Sequence, residues 1–415
     1  MSQLDIITKK YDQLLLGLII LLCGIGTVML YSASSAYSLN QTNGSSDTLF
    51  LRSHLKRMIV GMVAMFFFIV TDYRKLKRFA PYLMIGSIIL LLATKIIYMI
   101  KGISFPARWL DLGFITVQTS DIARFSLILY LAYYIDKKRD KIKELYAGFA
   151  PPIILMACIL FTIVIQPDFS TAAVIGLIGL CMMFIGGARS THIIATSIMG
   201  AIVMIPVMLM RSYRLKRVIY WLGSIFDFDG GGNGRDAIGY QAQQSLISLG
   251  NGGISGLGLG NSMEKNLFLP TPHTDFIFAI IGEELGLWGA LIILTIFLLI
   301  FQRGIKIPKE TNDPFGIMLA FGITFSIIIY AFINVAVVTG LFPVTGLPMP
   351  LISHGGSSLV ANLACLGILL NISQAKRSVT HISGWRPILY ELLDKCHYFW
   401  RWHWWTFIPC IGYKR

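Results

Sequence analysis

The chain has 415 residues, 55% of them hydrophobic and only 13% charged, with a mean hydropathy of +0.69 and a formal net charge of +14. A soluble chain carries about a quarter charged residues, and here the charges cluster between long apolar runs, which excludes a set of globular domains with buried cores. The cationic excess fits the Lys- and Arg-rich cytoplasmic loops of a membrane protein, so nucleic acid is not an expected partner.

A helix needs roughly 20 apolar residues to cross the hydrocarbon core. Apolar runs fall near 13–33, 57–71, 79–98, 114–135, 150–166, 171–187, 191–210, 276–302, 315–340 and 351–371. They predict an all-α integral membrane protein of about ten transmembrane helices, with a large extracytoplasmic loop, 211–275, between helices 7 and 8. The first run is too long for the apolar region of a cleavable signal peptide and is read as a span. Residues 1–375 form the membrane domain. Residues 376–415 are a tail with Trp385, Trp400, Trp402, Trp404 and Trp405 among Arg and His, expected at the headgroups.

Cationic residues mark alternate loops: Lys9 and Lys10, Arg74 to Arg78, Lys137 to Lys143, Arg189, Arg303 to Lys309, and Lys376 with Arg377. These belong in the cytoplasm together with both termini. Arg211, Arg214, Lys216 and Arg217 dissent from the pattern, in a long loop where the rule is weak. They could attract an anionic lipid headgroup, but taken by themselves they read first as a solvated amphipathic stretch. The six cysteines show no metal-ligand spacing, and neither a disulfide nor a zinc site is expected.

Ionisable residues near membrane depth are candidates for function. Asp275, in Pro272-His273-Thr274-Asp275, stands where the long loop enters the eighth span. It is either a partly desolvated general base or a helix N-cap. Glu283 and Glu284 follow two turns deeper and need a cation or a polar cavity. In Gln118-Thr119-Ser120-Asp121, Arg124 lies three residues after the acid, on the same helix face. That pair is either self-satisfied or a substrate-phosphate contact. Asp168, after Gln166-Pro167, reads first as a helix cap. The stretch 339–358 carries Pro343, Pro348, Pro350 and Gly355-Gly356, which deny it a regular helix. Irregular backbone at membrane depth is stable where it is buried in protein or lines a cavity.

Several of these segments stand in one order along the chain: ARWLDLG at 107–113, QPDFST at 166–171, YRLKR at 213–217, GYQAQQSLISLGNGG at 239–253, GLGLGNSMEK at 256–265, PHTDFIFAIIGEELG at 272–286 and TGLPMPLISHGGSS at 345–358. Together they resemble the SEDS family (shape, elongation, division and sporulation), membrane glycosyltransferases that polymerise peptidoglycan. The resemblance runs to about Ser373; the Asn-Ser of GLGLGNSMEK suits the division-type member, while ARWLDLG and the Pro-Val-Thr-Gly at 343–346 lean toward the elongation-type polymerase, which stays the alternative. The resemblance implies that Asp275 is the family's essential acidic residue, the catalytic base at the mouth of an outward-facing cavity. It also implies a substrate-binding set of Gln118, Asp121, Arg124, Asp168, Arg214, Lys216, Arg217, Lys265, His273, Glu284, Ser353, His354 and Ser357.

The implied substrates are lipid II and the undecaprenyl-diphosphate-linked glycan. The implied partners are a class B penicillin-binding transpeptidase, divisome proteins and membrane lipids, at the septum of the inner membrane. No tightly bound cofactor is expected, and a divalent cation (Mg or Mn) would travel with the diphosphate. The chief rival reading is a lipid II flippase. The sequence departs from the family at Arg124, commonly Lys, at Ser53, often Arg, although Arg52 and Arg57 are close, and at His354, commonly Tyr.

Overall fold

The computed structural model describes residues 11–101, 108–111, 116–209, 212–226, 237–264 and 272–374. Lys265, Arg211 and the Trp-rich tail lie outside the described residues. The described residues form twelve α-helices: α1 Gln13–Gln41, α2 Leu49–Val70, α3 Arg74–Lys101, α4 Thr119–Lys137, α5 Ala150–Ile165, α6 Phe169–Ile185, α7 Ser190–Leu209, α8 Ser212–Phe226, α9 Ala237–Gly252, α10 Ile277–Glu310, α11 Pro314–Val338 and α12 Gly356–Ser373.

Eight of them are long and apolar enough to cross a membrane, and α6 is apolar but shorter. α4 has 19 residues but carries Asp121 and Arg124. With α4 and α6, all ten expected spans are helices, and the chain is a multi-pass membrane protein. Local chemistry sets several ends. The Asp12 carboxylate accepts from the Leu15 N–H at the start of α1, and Asp313 does the same for Gly316, with Pro314 in the first turn of α11.

The structure corrects three boundaries. α2 starts at Leu49, about two turns before the apolar run, because Arg52, His54, Lys56 and Arg57 are carried within the helix. α12 starts at Gly356 and not near 351. Leu351 has φ +66°, and Met349-Pro350-Leu351 turn the chain before the helix can begin. Residues 116–118, expected in the fourth span, form a strand instead. β1 (Trp109–Asp111) pairs antiparallel with β2 (Thr116–Gln118), and this small hairpin lies over the start of α12, Trp109 against Gly356.

The loop between the seventh and eighth spans contains α8 and α9. α8 is amphipathic and lies across the loop 339–355. Arg217 Nη1 donates to the Val344 carbonyl at 2.7 Å, and Trp221 Nε1 donates to that of Gly340 at 3.1 Å. These donors are one helical turn apart, so one face of α8 is latched to the proline-broken loop. α9 packs directly on α10. At Gly252 a Cβ would overlap the Gly282 carbonyl oxygen, so we expect Gly252→Val to separate the two helices. The variant should lose well over the ~1 kcal/mol of stability typical of a point mutation, read as a lower thermal midpoint; an unchanged midpoint would show that this close approach is not required.

α10 is broken at Gly286, whose φ of 66° and ψ of −164° are non-helical. The break frees the carbonyls of Glu283 and Glu284, which accept from the N–H groups of Leu257 and Gly258 at 3.0 and 2.9 Å. In return Leu287 N donates to Gly253 O at 3.0 Å. The glycine-rich segment 253–264 is thereby stitched to the bundle by main-chain bonds, as buried backbone requires. α11 and α12 are the most enclosed spans, whereas the apolar window of α7 has no buried residue.

Candidate active site

A cavity of about 230 Å³ opens among the hairpin, the starts of α4, α6 and α12, the loop 339–355 and the segment before α10. Asp275 lines it, together with Arg108, Trp109, Gln118, Asp121, Arg124, Asp168, Tyr330, His354 and Asn362. Of the residues singled out by sequence, Asp275, Gln118, Asp121, Arg124, Asp168 and His354 therefore meet at one site.

Asp275 does not cap α10: Phe276 holds the N-cap position, with no side-chain cap hydrogen bond. Its main chain is fixed instead by Asn334 of α11, whose Nδ2 donates to the carbonyls of Asp275 and Leu347, both at 2.8 Å. One carboxylate oxygen lies beside Gly346, a position with φ +75° where a Cβ would come within 3.3 Å of it. Burial pushes the carboxyl up to about 6, against the opposing pull of the Arg217 and Arg108 guanidinium groups. At neutral pH the group is ionised yet more basic than an ordinary carboxylate, which is what a general base needs. Asn334→Leu should leave both carbonyls without their donor and cost about 1–3 kcal/mol, read as a lower thermal midpoint with a loss of activity. Full activity in that variant would show that Asp275 needs no such support.

Asp168 holds the N-cap position of α6 but makes no capping bond. Its carboxylate turns into the cavity, accepting from Gln118 Nε2 at 3.3 Å and facing Arg108 Nη1 at 3.6 Å. The expected cap is therefore absent, because Gln118 and Arg108 take the carboxylate in place of the helix end. Asp121 and Arg124 form the expected ion pair, at 3.5 Å, and both are buried. Asp121 also accepts from Ser357 Oγ at 3.2 Å, and the same Oγ accepts from Gln118 N at 2.8 Å. Arg124 donates to Asn362 at 2.9 Å and lies over the Tyr330 ring at 4.4 Å. The pair is both internally satisfied and part of the cavity wall.

Arg214 and Arg217 line a second, mainly apolar cavity of about 260 Å³, with Phe169, Val174, Met208, Ile333 and Phe342. Arg108 and Asp168 border both cavities. Lys216 lines neither and is exposed. His273, Ser353 and Glu284 stand behind the site. His273 is buried in an aromatic cluster, and Ser353 Oγ accepts from Met349 N within the proline loop. Glu284 accepts from Ser32 Oγ of α1 at 2.6 Å, and Glu283 from Ser248 Oγ of α9 at 3.0 Å and Met263 N at 2.9 Å. These two acids clasp the segment 253–264 and α9 to the bundle. The polar surroundings expected for them are met by hydroxyls and main-chain N–H groups.

Sequence reasoning missed Arg108, Trp109, Tyr330, Asn334 and Asn362. Asn334 and Tyr330 were legible only as polar residues four apart in an otherwise apolar span, and Asn362 as an amide in another. Arg108 sits in a recognised motif whose geometry no periodicity reveals.

Residues 12–378 match the family model described as "Cell cycle protein", FtsW/RodA/SpoVE. The chain is 37% identical over 369 residues to a probable peptidoglycan glycosyltransferase FtsW of Geobacter metallireducens, covering 88% of this chain and 95% of the relative. It is 35% identical over 378 residues to the stage V sporulation protein E of Bacillus subtilis, covering 89% and 99%. In fold it matches a chain of a peptidoglycan synthase complex at a TM-score of 0.70 and 24% identity, over 88% of this chain and 97% of that one. The RodA of Thermus thermophilus matches at 0.63 and 22%, over 89% and 98%. The resemblance first visible in scattered motifs thus extends across the whole bundle, and the chain belongs to the FtsW/RodA/SpoVE family of cell cycle proteins.

Proposed function

We propose that this protein is an FtsW-like peptidoglycan glycosyltransferase that polymerises lipid II into glycan strands, with Asp275 as its general base. The observation that carries the reading is a basic, half-buried carboxylate on a polar cavity, flanked by Arg108 and Arg217, with an apolar cavity adjoining. Asp275 takes the proton of the acceptor's sugar 4-hydroxyl. The oxygen attacks the anomeric carbon of the growing chain, and the bond from that carbon to the undecaprenyl diphosphate breaks. Charge developing on the departing diphosphate is met by Arg108, Arg214 and Arg217, preorganised at the junction of the two cavities. The isoprenoid lies in the apolar cavity. A divalent cation, Mg or Mn, would arrive on the diphosphate as its principal ligand. Among the described residues no group of three or more His, Cys, Asp or Glu side chains could hold a metal ion.

The Asp275 end of the bundle faces outward, with both termini in the cytoplasm, at the division septum of the inner membrane. A class B penicillin-binding transpeptidase crosslinks the product within the divisome. The relatives' FtsW names support the division role. The test is polymerisation of labelled lipid II by the purified protein with its transpeptidase. Wild type should make glycan and Asp275→Ala should not. Transfer of lipid II across liposomes without any polymer would overturn the reading in favour of a flippase.

A further inference from the structure

α2 carries Arg52, Lys56 and Arg57 and no acid. Arg52 and Lys56 are exposed, whereas Arg57 is half-buried, eight residues or about 12 Å along the helix from its start. Its Nη1 lies 2.9 Å from His354 Nε2. A guanidinium can only donate, so Nε2 accepts and the imidazole proton sits on Nδ1. Burial, with Arg57 close by, pushes His354 down to about 3, which keeps the ring neutral. The described hydrogen bond of Arg57 is therefore to a neutral base, and among the described residues no carboxylate lies within ion-pair distance of it. An ion at this depth without a counterion is costly.

His354 belongs to the wall of the Asp275 cavity and is itself locked. Its N–H donates to the His273 carbonyl at 2.9 Å, and its ring meets Phe50, His273 and His54. His54 Nε2, His273 Nδ1 and His354 Nδ1 are buried without hydrogen-bond partners. Nothing in this cluster offers Arg57 a negative charge, and the cluster holds it rigidly beside the cavity. Arg108 and Arg217 are the cations that bear on Asp275; Arg57 stands further off, across His354.

Polymerisation, the function proposed above and on which this inference rests, brings two lipid-linked diphosphates to one base. The leaving diphosphate is bonded to the carbon under attack and lies next to Asp275. The acceptor's own diphosphate is a disaccharide's length away from its reacting hydroxyl. We propose that Arg57, held by His354, binds the diphosphate of the incoming acceptor lipid. The two substrates then meet at Asp275, one anchored by Arg108 and Arg217 and the other by Arg57 behind His354.

The experiment counts diphosphates without requiring turnover. Purified protein in dodecyl maltoside, a detergent without phosphate, is titrated with undecaprenyl diphosphate and examined by native mass spectrometry. Wild type should hold two per chain and Arg57→Ala one, while Arg57→Lys, which keeps the charge but loses the bidentate fork, should hold the second about tenfold more weakly than wild type. In the polymerisation assay Arg57→Ala should raise KM for lipid II about tenfold and lower kcat by less. Two diphosphates on Arg57→Ala, or one on wild type, would overturn the proposal. So would displacement of the Arg57-dependent lipid by equimolar phosphatidylglycerol, which would mark an ordinary headgroup contact. If Arg57→Ala does not fold, Arg57→Gln and His354→Phe take its place, and an unchanged KM in both sinks the idea. Failure of wild type to polymerise lipid II while still binding two diphosphates would count against the proposed function and not against this site.

Discussion

Asp275→Asn should abolish glycan synthesis and at the same time raise the thermal midpoint of the protein at neutral pH. Loss of a positioned base removes about 10²- to 10⁴-fold in rate. The stability gain has a separate origin. The folded-state value of Asp275, about 6, lies above its ordinary 3.8, so the folded protein binds this proton more tightly than the unfolded chain does. Stability therefore falls as pH rises from about 4 through 6 and stays lower above that. Asparagine removes the buried negative charge and with it that loss, so the midpoint difference should vanish below pH 4. The same value sets the acid limb of the wild-type reaction, which should fall about tenfold per pH unit below 6 and level off above it. A pH-independent rate from 5 to 8, or a less stable Asn variant, would remove Asp275 from the role of an ionising base.

Arg124→Leu should destabilise the protein by about 3–5 kcal/mol, because it leaves the Asp121 carboxylate buried without its counterion. Both members are almost fully enclosed, with side-chain exposures of 4% and 7%, so water cannot compensate. Adding Asp121→Asn should restore a large part of the thermal midpoint, since the stranded charge is then gone. Activity should stay low in the double variant, because Arg124 and Asp121 both line the cavity. The double-mutant cycle reads the coupling directly. Additive losses of stability would mean that the two groups do not act as a pair.

The spans were readable because lipid imposes length and composition on every helix alike, and even α4 announced itself despite Asp121 and Arg124. What chain-local pattern could not supply was the partner of each polar group. Asp168 and Asp275 both stand next to helix starts, where capping is the ordinary expectation. Neither caps, because a hairpin from one part of the chain and Asn334 from another create a site there. The family motifs make Glu284 a substrate contact, yet in the fold its carboxylate is held by Ser32, 252 residues earlier in the chain. The latch of α8 onto Val344 and Gly340 was equally hidden. The basic cluster showed its charge, but the acceptors are main-chain carbonyls exposed only because three prolines keep that loop irregular. The motifs of the family carried the site across these gaps, since their order preserves contacts that spacing does not express.

The break at Gly286 divides the eighth span into two pieces with different surroundings. Ile277 through Glu284 are buried in protein, whereas Leu287 and Trp288 are 52% and 64% exposed. The part of α10 that meets lipid begins at Leu287, and from there to Ile307 about 20 residues remain, enough to cross the hydrocarbon unaided. During biosynthesis the insertion machinery thus has a complete membrane anchor in the second piece alone. An acid at the bilayer centre opposes insertion by about 3 kcal/mol, and Glu283 and Glu284 escape that test. Their serine and main-chain partners, in α1, α9 and the segment 253–264, all precede them in the chain.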